Sequence, residues 1–281
     1  MEKLRFTNVS KMTLEEFLKR YYLSKTNIYK IFSNNLIEVN DQVQNRLYLI
    51  QPDDVISVNL EGLVVQDIKP WKYPLMIIHE DEDILVVNKP SKLLVHPDGQ
   101  SNQTLANAVA FYYQINGLSF PVRHIHRLDY DTSGIMVFAK HLLAHSFLNY
   151  QLESRQFEKK YYAVVEGKME KPSRVINLPI GRHRHLAGVY IVSPTGKEAI
   201  TKYRVIKEYE NSCILEVSIK TGRTHQIRVH LAHLGHPIIG DPIYGSANSR
   251  LMLHASSVSF IHPRSFKIVS YTCPSPKEFE R

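Results

Sequence analysis

The stretch His126-Arg127-Leu128-Asp129-Tyr130-Asp131-Thr132-Ser133-Gly134, continued by the apolar run Ile135–Ala139, decides how this chain is read. Asp, Thr, Ser and Gly are turn formers, so residues 126–134 read as a loop that feeds a short buried strand. A loop held at the mouth of a sheet can present a carboxylate to a ligand. Equally, Asp129 or Asp131 can accept hydrogen bonds from the turn's own amides. On these residues alone both readings stay open.

Before this loop, Asp83-Ile84-Leu85-Val86-Val87 is another strand candidate, stopped by Pro90. After it come a helical stretch over 141–156, a strand over 159–166, and paired strands over 200–208 and 213–220 joined by a turn at 209–212. Leu215, Val217 and Ile219 alternate with Glu216, Ser218 and Lys220, the period of a half-buried strand. A turn at Thr221-Gly222 leads into a helix with Ile227, Leu231 and Leu234 on one face, and Gly235 is placed to end it. Strands outnumber helices and do not alternate with them regularly, which predicts α+β architecture over a doubly wound sheet.

Residues 1–60 read as a separate small module. Thr13 and Glu16 have capping-box spacing ahead of Leu14, Phe17 and Leu18, and Ile28, Ile31 and Phe32 recur at helical spacing. A strand over Leu36–Asn40 and a second β segment near Asp54–Leu60 complete it. This order resembles the S-four-like RNA-binding module of ribosomal proteins. Its basic candidates are Lys19, Arg20, Lys25 and Lys30, and a packing or spacer role is the alternative. Residues 61–75, with Pro70 and Pro74, read as an extended linker, and residues 76–281 as the main domain.

Composition bounds the function classes. The chain has 281 residues, and 35 Lys+Arg against 27 Asp+Glu give a net charge of +8, which favours polyanionic partners. The two cysteines, Cys213 and Cys273, supply neither a disulfide framework nor a zinc pattern. No signal peptide and no membrane span are expected, so a soluble, cytoplasmic, monomeric protein is the expectation.

A second chemical feature is Thr221-Gly222-Arg223-Thr224-His225-Gln226-Ile227-Arg228-Val229-His230-Leu231. It places Arg223 at a helix start and Arg228 within the helix, where each can clamp phosphate or hold a carboxylate, or form a solvated basic face.

Together these segments closely resemble the RluA-type pseudouridine synthases, which modify ribosomal and transfer RNA. The resemblance runs from Ile77 to the C-terminus. It rests on six ordered blocks: VNKPSKLLVHP (87–97), HRLDYDTSG (126–134), KKYYAVVEG (159–167), LPIGRHRH (178–185), GRTHQIRVHLAHLGHPIIGDPIYG (222–245) and RLMLHA (250–255). It implies the pseudouridine synthase fold, with a mostly antiparallel central sheet flanked by helices and loops, and an isomerase that needs no cofactor or metal. It makes Asp129 the essential aspartate, Arg228 its ionic partner, Tyr161 the residue against the target base, and Arg127 the side chain that fills the gap left by a flipped nucleotide. His126, Thr132 and Arg223 are placed with the substrate-binding residues, and Leu253 forms an apolar wall. Arg182 and Arg184, in the GRHRH segment, read as phosphate contacts or as an exposed turn. Ser91-Lys92 departs from the small residue plus Gly common in the family, which questions the local turn.

Two rivals remain in view. A zinc enzyme would need ligands beyond the His230 and His233 pair with His225 and His236 nearby, and the chain has no HExxH pattern. A catalytically silent RNA-binding or ribosome-assembly protein could keep the fold, but it would have no use for the set Asp129, Tyr161 and Arg228.

Overall fold

A capping box starts the first helix as the spacing predicts: the Thr13 side chain accepts from the Glu16 amide, and the Glu16 carboxylate accepts from the Thr13 amide at 2.7 Å. The computed structural model describes residues 3–7, 9–60, 68–99, 101–247 and 249–279. The N-terminal part comprises β1 (Leu4–Phe6), α1 (Leu14–Lys19), α2 (Lys25–Ser33), β2 (Ile37–Val39), β3 (Gln42–Val43) and β4 (Ile56–Val58). The strands form an antiparallel sheet in the order β1-β4-β2-β3. The helices cover it with Leu14, Phe17, Leu18, Ile28 and Ile31, all buried.

Residues 61–67 of the expected linker lie outside the described residues, and 68–75 run without helix or strand. Trp71 and Tyr73 stack there and pack on the main core.

The larger part begins with β5 (Met76–Glu80) and β6 (Ile84–Lys89), then α3 (Leu105–Ile115), β7 (Arg123–His124), β8 (Ser133–Ala139), α4 (Leu142–Glu153) and β9 (Glu158–Glu166). It continues with β10 (Ser173–Asn177), β11 (Ile180–Arg182), β12 (Tyr190–Val192), β13 (Ile200–Glu208), β14 (Ser212–Ile219), α5 (Gln226–His233), β15 (Leu253–Ile261) and β16 (Ile268–Thr272). Ten of these strands form one sheet, along β10-β13-β14-β9-β15-β8-β6-β5, with β16 beside β15 and β7 beside β8. Every pairing described in it is antiparallel except β8 with β15. The fold is α+β, as expected from the sequence.

Covered faces explain why β8 is apolar throughout. Met136 and Phe138 join Leu85 and Val87 in a core that includes Leu105, Val109 and Tyr113 of α3. The alternate residues Ile135 and Val137 join Ile84 and Val86 in a second core with Ala144 and Leu148 of α4. A strand buried on both sides carries no polar alternation. The helix α3 is absent from the sequence reading; its run LANAVAFYYQI is mostly apolar around and carries no charge. At the other end of the sheet, α5 closes as Gly235 predicts. Gly235 has φ +83°, its amide donates to Ala232 O, and the His236 amide donates to Leu231 O.

The two parts share an apolar cluster, in which Tyr21 and Leu23 meet Leu142, Leu143 and Phe147 of α4. Tyr22 stacks on Tyr150, and Arg264 donates to the Arg5 carbonyl at 2.7 Å. Among the described residues, no helix is long and apolar enough to cross a membrane.

Candidate active site

The loop between β7 and β8 is shaped by Gly134. Its φ is +118°, and a side chain there would collide with the backbone of Ala255, which pairs with it on β15. Only glycine lets β8 and β15 run parallel at this point. The loop is also clamped from beneath by the 89–93 turn. The buried Lys89 ammonium donates to the carbonyls of Pro90, Leu93 and Tyr130, and the Ser91 hydroxyl donates to the Asp131 carbonyl at 2.6 Å. Lys92 takes φ +60°, so the turn keeps the left-handed residue that a glycine would supply. The departure from the family pattern changes the residue and not the geometry. Burial pulls the Lys89 ammonium down to about 7, against the opposing charges of Asp129 and Asp131.

So held, Asp129 points one carboxylate oxygen at Arg228, with Oδ2 3.5 Å from Nη1. Its side chain is 27% exposed, so it is neither sealed in the turn nor free in water. Arg228 comes from α5 and is wholly buried. Its Nε and Nη2 donate to the two oxygens of Asp241 at 2.8 and 2.7 Å, which turns Nη1 toward Asp129. Asp241 also accepts from the amides of Ile243 and Tyr244. Burial works to raise the Asp241 carboxyl, but the hydrogen bonds and charge of Arg228 outweigh it and hold the group below its ordinary value. Burial likewise opposes the charge on Arg228, and Asp241 and Asp129 overcome it.

Asp129 and Arg228 line a cavity of about 1460 Å³, with Asp241 buried behind the guanidinium. Its walls are the 121–132 segment, the end of α4 with the start of β9, and the turn from β14 into α5. Eight Lys and Arg residues line it against four Asp and Glu, so its field favours an anionic ligand. Tyr161 lies on β9 facing the cavity side; burial first, then the Asp129 charge, raise its phenol, which keeps it protonated. Leu253 opens β15 beside it as a buried wall.

Arg127 is exposed at the rim, where its Nη1 donates to His96 Nε2 at 3.3 Å. His96 must then carry its proton on Nδ1, which donates to the Pro97 carbonyl, and its ring stacks on His124. Thr132 and His126 line the same cavity but are buried, and neither the Thr132 hydroxyl nor the His126 ring nitrogens have a partner among the described residues. Arg223 lies in the turn before α5 rather than at a helix start, because Gln226 caps the turn: its Oε1 accepts from the Arg223 amide and the Thr221 hydroxyl. The Arg223 side chain donates to the Glu198 carbonyl at 2.8 Å.

Arg182 and Arg184 do not line the cavity. Arg182 ends β11, opposite Tyr190 on β12, and Arg184 stands exposed at the tip of that hairpin. Arg182 reaches the rim through Tyr190, whose phenol is lowered by hydrogen bonding to Thr224 and, beyond the opposing effect of burial, to Arg182.

Sequence reasoning missed Asp241, although it stands in the quoted GDPIYG block; an Asp between Gly and Pro reads as a turn residue. Among the described residues, no group of histidines brings ligand atoms together for a metal. His230 accepts from Thr201 and donates to the Leu178 carbonyl inside the core. Asp81, Asp83 and His262 do bring ligand atoms within 4.8 Å of one another, but Arg264 already neutralises Asp83 and lies where a cation would be repelled.

Residues 83–233 match a family described as RNA pseudouridylate synthase. The chain is 40% identical over 264 residues to a Bacillus subtilis (strain 168) protein, the uncharacterized RNA pseudouridine synthase YhcT, covering 92% of this chain and 87% of that one. It is 35% identical over 275 residues to the ribosomal large subunit pseudouridine synthase D of Haemophilus ducreyi, covering 91% and 84%. Among solved structures, human RNA pseudouridylate synthase domain containing 1 superposes with a TM-score of 0.62 at 26% identity, covering 72% of this chain and 84% of that one.

Proposed function

The chain belongs to the RNA pseudouridylate synthase family, in its RluA-type branch, and from that membership we propose that it isomerises defined uridines of ribosomal RNA with Asp129 as the catalytic carboxylate. As an RNA pseudouridine synthase it is an isomerase: a nitrogen–carbon glycosidic bond breaks, the base turns, and a carbon–carbon bond forms. No electron or external group is exchanged. The base cannot turn while stacked, so the nucleotide must leave the helix for a pocket.

The observation that carries the assignment is Asp129, partly exposed in a basic cavity and 3.5 Å from a buried guanidinium. Arg228 favours the ionised carboxylate and, itself locked by Asp241, orients it. The same residue serves whether it attacks the anomeric carbon or removes a proton from the sugar. Tyr161 offers an aromatic face to the extruded base, a contact typically worth about 1–3 kcal/mol. Arg127, exposed at the rim and steadied by His96, is placed to enter the gap in the RNA. Ribosomal RNA is favoured by the large-subunit synthase D of Haemophilus. The enzyme reading includes a cytoplasmic monomer whose residues 1–60 add an RNA contact. Of its four basic candidates, Lys19 pairs with Glu15 and Arg20 lies over Phe266, whereas Lys25 and Lys30 stand exposed.

Mapping pseudouridine in cellular RNA with and without the protein tests the substrate; loss at a defined large-subunit position is expected. Asp129→Asn is expected to abolish isomerisation while keeping RNA affinity. Turnover by that variant at the wild-type rate would remove Asp129 from the chemistry. Unchanged pseudouridine in cells lacking the protein would favour the silent assembly factor instead.

A further inference from the structure

Two residues before Tyr161 on β9 lies Lys159, and the alternation of a strand sets both side chains on one face, about 7 Å apart. Lys159 is 9% exposed and lines the cavity. Its neighbour Lys160 pairs with Glu216, whereas Lys159 makes no ion pair and no side-chain hydrogen bond among the described residues. An ammonium that no carboxylate compensates, open to a cavity that favours anions, is a ready contact for a phosphate oxygen. Burial draws this ammonium down to about 8, which still leaves it mostly charged at neutral pH.

Beside it is His126, 6% exposed, both ring nitrogens unpartnered. Burial, and after it the Lys159 charge, hold this imidazole neutral, with a value of about 3. It therefore offers one N–H donor and one acceptor. The Lys159 ammonium lies 3.9 Å from where a side chain at Gly222 would begin, so glycine at the β14–α5 turn leaves that ammonium uncovered. The three donors of the Lys159 ammonium thus face a cavity that already favours anions, and none of Asp129, Arg228 or Tyr161 uses them; the His126 nitrogens stay closed to solvent behind it.

We propose that the Lys159 ammonium is the receptor for a non-bridging phosphate oxygen of the RNA backbone beside the target nucleotide. This rests on the reading that RNA enters the cavity as substrate. The receptor positions the strand; it does not take part in bond making.

The test measures RNA binding by the full chain against salt concentration. The probe is whichever of a large-subunit ribosomal RNA transcript or a transfer RNA transcript acquires pseudouridine from the wild type. Lys159→Gln is expected to weaken binding about 10-fold or more and to reduce the log–log salt slope by about 0.7–0.9, the loss of one phosphate contact. Lys159→Arg should restore the slope. His126→Phe keeps the ring against Phe157 and is expected to leave the slope unchanged, which separates the ammonium's role from packing of the cavity wall. A merely structural lysine would lower the melting temperature and leave the slope alone, and that result overturns the proposal. If Lys159→Gln does not fold, Gly222→Val covers the ammonium instead, and a wild-type slope in that variant is equally fatal. If neither transcript is modified by the wild type, the synthase reading fails first and the receptor falls with it.

Discussion

Arg228 carries two carboxylates, and they are not equivalent. Asp241 takes the fork of the guanidinium in a dry pocket, while Asp129 meets only its third nitrogen, at a longer distance and partly in water. The tight pair holds the arginine still; the looser one leaves the Asp129 oxygens able to meet substrate. Removing one partner of a buried pair strands the other charge, so Asp241→Ala is expected to destabilise the protein by about 3–5 kcal/mol in urea unfolding. Arg228→Lys keeps the charge but loses the fork, and is expected to lower kcat by roughly 100-fold, since a point charge cannot hold both carboxylates in place. Equal turnover by the lysine variant would reduce Arg228 to a packing role.

At the level of elements, two residues with positive φ make a useful contrast. Gly134 sits where a Cβ meets the backbone of Ala255, and backbone cannot yield without parting β8 from β15. Gly134→Ala is therefore expected to cost about 3 kcal/mol or more and to displace the Asp129 loop; calorimetry and turnover would both register it. Lys92 is also left-handed, but it is an ordinary residue already accommodated there. Replacing it by glycine relieves a strain of about 1–2 kcal/mol and adds a chain-entropy cost of similar size, so Lys92→Gly should change stability by less than about 1 kcal/mol. A large gain would mean that the 89–93 turn is strained by its departure from the family pattern.

Across the whole molecule, neutral histidines held in buried or half-buried places set the acid limit. Burial is the first cause in each case: His124, His145 and His254 are drawn down to about 4 and His126 to about 3. Between those values and the ordinary value near 6.5, the unfolded chain binds protons that the folded chain refuses. Stability contributed by keeping them neutral is complete above about pH 6.5 and is lost as pH falls toward 4. Denaturant midpoints are expected to drop over that window; a flat profile from pH 7 to 4 would contradict these environments. The docking of the N-terminal part is a second whole-molecule property. Phe147 belongs to the cluster shared with Tyr21, so Phe147→Ala should cost about 3–5 kcal/mol.

Much of this architecture was legible in the chain. The capping box at Thr13, the alternation over 213–220, the apolar runs of β6 and β8 and the stop at Gly235 are local signals, and each element formed where its period placed it. The resemblance in ordered blocks marked Asp129, Arg228 and Tyr161, and the structure brings all three to one cavity. What no local pattern carried was the partner of each buried group. Asp241 reads as a turn residue until the chain after α5 folds back on Arg228. Lys159 reads as an ordinary strand lysine, and His126 is marked as substrate-binding only by the resemblance, until the packed chain closes that imidazole off from solvent. Periodicity states which side of an element is buried; what that side faces is decided by contacts between residues distant in sequence, and only the packed structure fixes those.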